Sequence, residues 1–108
     1  MARYAVIFDR DATADLVNIR DHIAKARDRE FADGFVERIV AYCESFAVIP
    51  HRGTKRDKVR AGLRTISWRR TVTIAFEVSD IETRVAILGV FYRGRDVLSA
   101  MRQRPKAE

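Results

Sequence analysis

The chain has 108 residues, 47% of them hydrophobic, with 21 Lys or Arg against 15 Asp or Glu and a net charge of +6. That length suits one compact domain and is too short for two, and that apolar share excludes a disordered chain. The apolar runs are only a few residues long, so no membrane span is expected, and the single Cys43 excludes an internal disulfide and fits a reducing cytoplasm.

The charge is divided unevenly. Residues 1–49 hold seven cations and nine acids, whereas residues 50–108 hold fourteen cations, eleven of them arginine, and six acids. A mildly acidic half joined to a strongly basic one predicts a face that meets an anion, either nucleic acid or an acidic protein segment. No cluster of Cys, His or paired carboxylates supports a metal site, and no glycine spacing supports a nucleotide cradle, so no cofactor is expected.

Taken in order, Arg3–Asp9 is rich in β-branched and aromatic residues and predicts a first strand. A helix follows, with Asp9 or Asp11 as its cap, Asp15 complementing its dipole, and Ala12, Leu16, Ile19, Ile23 and Ala26 along one stripe. After the polar break Asp28-Arg29, a second helix runs from Glu30 to about Ile49. Phe31, Phe35, Ile39, Tyr42 and Phe46 form its core face, and Val36, Val40 and Cys43 widen it. Gly34 within it predicts the close approach of a neighbouring backbone. The two helices make an antiparallel hairpin that Pro50 ends.

The loop from Pro50 to Arg64 carries six cations against Asp57 alone. Three strand signals follow it, at Leu63–Arg69, Thr71–Ser79 and Thr83–Tyr92, with Arg69-Arg70 and Ser79-Asp80 marking turns. Strict alternation in the last strand places Val85, Ile87 and Phe91 on one face and Ala86, Leu88, Val90 and Tyr92 on the other. A strand apolar on both faces is normally covered on both, and the helix hairpin accounts for one. A short amphipathic turn holding Val97, Leu98 and Met101 either covers the second face or leaves it for a partner. The expected fold is α+β in two layers: an N-terminal strand, an antiparallel helical hairpin, and a three-stranded antiparallel meander. It forms a single domain over residues 1–108, of which 97–108 are a short C-terminal tail.

The element order, with "P-x-R-G" at Pro50–Gly53, "G-L-R" at Gly62–Arg64 and "YRGRD" at Tyr92–Asp96, resembles the RelE/ParE superfamily of bacterial type II toxins, and its ParE-like branch most. That resemblance implies a cytoplasmic toxin in a hetero-oligomer with a cognate antitoxin. It further implies growth inhibition by poisoning of DNA gyrase, and DNA contact only indirectly through the antitoxin. Antitoxin contacts are then expected at Arg64, Arg70, Leu88, Val90 and Tyr92, and target contacts at Arg93, Arg95 and Asp96.

The alternative in the same superfamily is a ribosome-dependent mRNA endonuclease of RelE type. A third reading is a non-toxic homologue that only binds nucleic acid or protein. A nuclease would use Arg64, Arg70, Tyr92 and Lys55 around the scissile phosphate. The tail offers it no Tyr, His or Glu near the position of the superfamily's terminal helix, so an evident acid–base pair is missing. His22 reads as a surface residue and His51 as a cation at a helix C-terminus. Arg95-Asp96 reads as a local ion pair closing a turn or as part of the target-facing surface.

Overall fold

The computed structural model describes residues 3–105. In chain order it contains strand β1 (Ala5–Phe8), helices α1 (Arg10–Ala26) and α2 (Arg29–Glu44), and a 3₁₀ turn at Ser45–Ala47. Strands β2 (Thr54–Lys55), β3 (Leu63–Trp68), β4 (Val72–Ser79) and β5 (Arg84–Tyr92) follow, and helix α3 (Val97–Gln103) comes last. The sheet order is β1-β5-β4-β3-β2. β1 lies parallel to β5, and all other neighbours are antiparallel. The α+β meander expected from the sequence is present, with the two-residue β2 added at one edge by the cationic loop.

Both boundaries of α2 have a local cause. Asp28 caps α2 by accepting from the Phe31 N–H at 2.8 Å. α2 stops five residues short of the expected Ile49, because the chain tightens into the 3₁₀ turn. That turn brings Phe46 fully into the core against Phe76, with ring centroids 4.8 Å apart. Asp9 occupies the cap position of α1 but makes no side-chain cap bond. Gly53 has a φ of +78°, and a Cβ there would lie 2.5 Å from the Thr65 carbonyl oxygen. Only glycine lets β2 approach β3 at that point.

The helix hairpin covers one sheet face, where Ile19, Ile23, Ile39 and Phe46 pack on Val72, Ile74, Phe76, Val85, Ile87 and Val90. The second face is also closed. Met101 of α3 is 1% exposed and packs with Leu63, Ala75, Leu88 and Phe91 in a smaller core. Of the two expectations for this face, coverage by the amphipathic turn is the one observed, and an apolar face left open for a partner is corrected. Arg60 donates to the carbonyls of Met101 and Arg104 at 3.4 Å, holding the C-terminal end of α3 from the cationic loop.

The expected faces of β5 are corrected as well. Phe76 pairs with Ile87 and Ala75 with Gly89, so Leu88 is an extra residue in a β-bulge. Past the bulge the alternation is inverted. Val90 and Tyr92 join Val85 and Ile87 beneath the helices, whereas Phe91 joins Leu88 beneath α3. Leu88, Val90 and Tyr92 do not form one face, and Leu88 and Val90 are each 2% exposed.

Gly34 shows no backbone close by: a Cβ there would meet only Arg38 Nη1, at 3.6 Å. Phe31 was expected in the core but is 37% exposed, beneath the Arg27 guanidinium at 4.0 Å. Cys43 is completely buried, and that burial pushes its thiol up to about 12.

Candidate functional site

The expected basic residues divide between the two ends of the sheet. β3 begins near Arg64 and turns into β4 at Arg69-Arg70. Four strand steps, about 13 Å of extended chain, separate Arg64 from Trp68, and Arg70 lies in the turn beyond it. Tyr92 pairs with Val72 beside that turn, and Lys55 pairs with Arg64 at the other end. Arg64, Arg70, Tyr92 and Lys55 therefore do not converge on one phosphate, and no single concave face gathers all the arginines.

One end is cationic and strained. Arg69 and Arg70 occupy the turn after Trp68, which the Thr71 N–H closes onto the Trp68 carbonyl at 3.3 Å. Their φ values are 51° and 63°. Positive φ at both central positions is the signature of a primed hairpin turn, where Asn-Gly is strongly favoured and a long side chain is not. The Arg93 N–H donates to the Thr71 carbonyl at 2.8 Å, which joins the end of β5 to the same turn. Arg93 and Gly94 also have positive φ, 45° and 50°.

The arginines here stack on rings. Arg69 lies 4.8 Å over Trp68, Arg93 5.2 Å over Tyr92 and Arg95 5.6 Å over Phe91. Among the described residues, none of Arg69, Arg70, Arg93 and Arg95 has an acidic partner. Asp96 does not pair with Arg95 and instead caps α3, accepting from the Ser99 N–H at 3.1 Å.

Two clefts flank this end, and Arg95 lines both. The cleft on the helix side has a volume of about 360 Å³, with Asp15, Asn18 and His22 of α1 facing Tyr92, Arg93 and Arg95 over Ile19 and Val90. His22 is exposed and packs edge-on against Tyr92 at 5.8 Å. The cleft on the α3 side, about 510 Å³, is lined by Arg56, Thr65, Ser67, Thr73, Arg95 and the start of α3. Its cations are guanidinium groups, which are hydrogen-bond donors without an acceptor atom.

The opposite end is apolar and neutralised. Ile81 at the β4–β5 turn is 98% exposed, and Val48, Ile49 and Ile7 are about half exposed. The Tyr4 N–H donates to the Ala47 carbonyl at 2.9 Å, which sets Val48 and Ile49 beside the start of β1. Asp80 Oδ1 accepts from the Tyr4 hydroxyl at 2.6 Å and lies 2.8 Å from His51 Nε2. The Tyr4 bond chiefly holds the Asp80 carboxyl below its usual range, with His51 and Arg64 assisting, and the same bond raises the Tyr4 hydroxyl. His51 is thus paired with a carboxylate rather than placed at the end of α2. Lys55 and Arg64 line a small cleft with His51 and Asp80.

Several of these residues escaped the sequence reading. Asp15 was expected to complement a helix dipole, but it is 8% exposed and accepts from Val90 and Arg104. Arg69 was read only as a turn marker. Its one signal was a two-residue turn between strands that lacks Gly, Asn and Asp. Among the described residues there is no group of three His, Cys, Asp or Glu positioned to hold a metal, and no helix long and apolar enough to cross a membrane.

The family described as the ParE toxin of the type II toxin–antitoxin system, parDE, matches residues 6–97. A solved chromosomal ParDE toxin–antitoxin system from P. aeruginosa is similar at 25% identity and a TM-score of 0.72, covering 84% of this chain and 97% of that one. The toxin–antitoxin complex RelBE2 from Mycobacterium tuberculosis shares the fold at 23% identity and a TM-score of 0.62, covering 88% and 97% of the two chains. The isolated E. coli RelE toxin does so at 16% identity and 0.54, covering 90% and 93%. No curated protein matches the chain by sequence. With 25% identity spread over nearly the whole fold and the family pattern running from β1 to the start of α3, this chain belongs to the ParE toxin family of type II toxin–antitoxin systems.

Proposed function

We propose that the free chain arrests growth by acting on DNA gyrase in the cytoplasm, and that a cognate antitoxin silences it by covering the apolar end of the sheet. The family match over residues 6–97 carries this reading. The gyrase assignment rests on the resemblance to the ParE branch. It is supported by a wide cleft whose cations are arginines, which suit a binding surface better than proton transfer.

The antitoxin reading draws on the exposed Ile7, Val48, Ile49 and Ile81. β1 is an edge strand beside them, so its outer edge accepts an added strand. Lys55 and Arg64 stand at the same end to meet acidic side chains. Leu88 and Val90, buried by the chain itself, are not part of this proposed surface.

The test is induced expression of the chain with and without the adjacent antitoxin gene. Growth arrest relieved by co-expression is expected. Replacing Ile49 and Ile81 by Asp is expected to abolish the relief while leaving the arrest intact. Unimpeded growth on expression of the folded chain alone contradicts the toxin activity. Unchanged relief in the variant contradicts the docking surface.

A further inference from the structure

We propose that the Arg69, Arg70, Arg93 and Arg95 end of the sheet grips the phosphate backbone of a nucleic acid directly. This goes beyond the gyrase reading and does not depend on it.

Three observations converge. Among the described residues four non-glycine residues have positive φ, and three of them are Arg69, Arg70 and Arg93. A left-handed conformation costs a residue with a side chain roughly 1–2 kcal/mol, and strain of this kind gathers where a site requires it. Among the described residues none of the four arginines forms an ion pair, and Asp15, which lines the same cleft as Arg93 and Arg95, is already bound by Arg104. Stacking on Trp68, Tyr92 and Phe91 holds three of the guanidinium groups over rings, so less freedom is lost when a ligand is bound.

The surroundings favour phosphate over an acidic protein. Protein interfaces are anchored by apolar or aromatic side chains at their centre. Among the described residues the exposed large apolar ones are Ile7, Val17, Phe31, Val48, Ile49 and Ile81, and none is on this turn or the β5 end. The rings that are present lie beneath guanidinium groups, so they are roofed from base stacking. What remains is an array of bidentate donors suited to phosphates without regard to sequence.

The experiment measures fluorescence anisotropy of a labelled 20-base-pair DNA duplex and a labelled 20-nucleotide RNA strand as salt is raised from 50 to 200 mM. Four phosphate contacts predict a log–log slope of about −3.6 for the duplex and about −2.8 for the single strand. For the duplex this is about a 150-fold loss of affinity over that range. Two variants with separate folding risks are compared, Arg69→Asn with Arg70→Gly, and Arg93→Gln with Arg95→Gln. Each is expected to halve the slope, while Arg29→Gln with Arg38→Gln on α2 leaves it unchanged. The better slope match identifies the duplex or the single strand as the form bound. Slopes unchanged in both turn and β5-end variants overturn the proposal, as does absence of binding at 50 mM salt. Labelled polyglutamate of equal charge binding as tightly as the nucleic acids also overturns it, in favour of an acidic protein ligand.

Discussion

Arg104 sets both terminal nitrogens on Asp15, Nη1 to Oδ2 at 2.8 Å and Nη2 to Oδ1 at 2.9 Å, joining the tail after α3 to the middle of α1. β1 pairs only with Arg84–Ile87, so the rest of β5 has no strand on that side. The pair occupies this gap. Asp15 accepts from the Val90 N–H at 2.9 Å, and Arg104 donates to the Leu88 carbonyl at 3.3 Å. Gly89 lies under the same guanidinium, and a Cβ there would come 2.9 Å from Nη1 and 2.6 Å from the Phe91 ring. Two charged side chains thus finish an incomplete sheet edge.

Both side chains are largely shielded, at 18% and 10% exposure. Removing one therefore strands the other and frees backbone groups. Asp15→Ala is expected to lower stability by about 3 kcal/mol, read from the urea midpoint. Arg104→Ala in that background should add far less than it costs alone. Full additivity of the two contradicts the coupling.

Gly34 is exposed to no neighbouring backbone, so its cost to α2 is not offset by any contact seen here. Gly34→Ala is expected to raise stability by about 0.5–1 kcal/mol, seen as a higher thermal midpoint. A lower midpoint would mean that this helix face is spoken for.

The Arg69-Arg70 turn makes the opposite trade. Arg69→Asn with Arg70→Gly supplies the residues its φ values favour and is expected to stabilise the fold by about 1–2 kcal/mol. Toxicity is expected to fall at the same time. A destabilised variant would show that the turn holds the arginines without strain.

Cys43 has a thiol raised from 9.0 to about 12 by burial. Ellman's reagent at pH 8 is therefore expected to label it only after unfolding. Since the folded thiol keeps its proton where the unfolded one loses it, this contribution is complete below about 9. It declines as pH rises and is gone by about 12. Cys43→Ala should flatten that alkaline decline, and an unchanged profile contradicts the assignment.

Periodic elements were legible in the sequence: both helices, the strands of the meander and the family pattern at Pro50–Gly53, Gly62–Arg64 and Tyr92–Asp96. Alternation failed at Leu88, because nothing in "AILGVFY" announces a bulge except Gly89, and one extra residue inverts every side chain beyond it. The closure by α3 was visible only as an amphipathic turn, since its partners Leu63, Ala75 and Phe91 come from three different strands. The Asp15–Arg104 pair spans 89 positions, and a lone Asp in a helix carries no mark of so distant a partner. The split of the arginines between the ends follows from strand pairing rather than from local composition.

The reading of the chain as a ParE toxin acting on gyrase is tested most directly by DNA supercoiling with purified gyrase, assayed beside ribosome-dependent mRNA cleavage with the same purified chain. The account predicts inhibited supercoiling and intact mRNA, with the inhibition removed by the antitoxin. Cleaved mRNA alongside unimpaired supercoiling would contradict it.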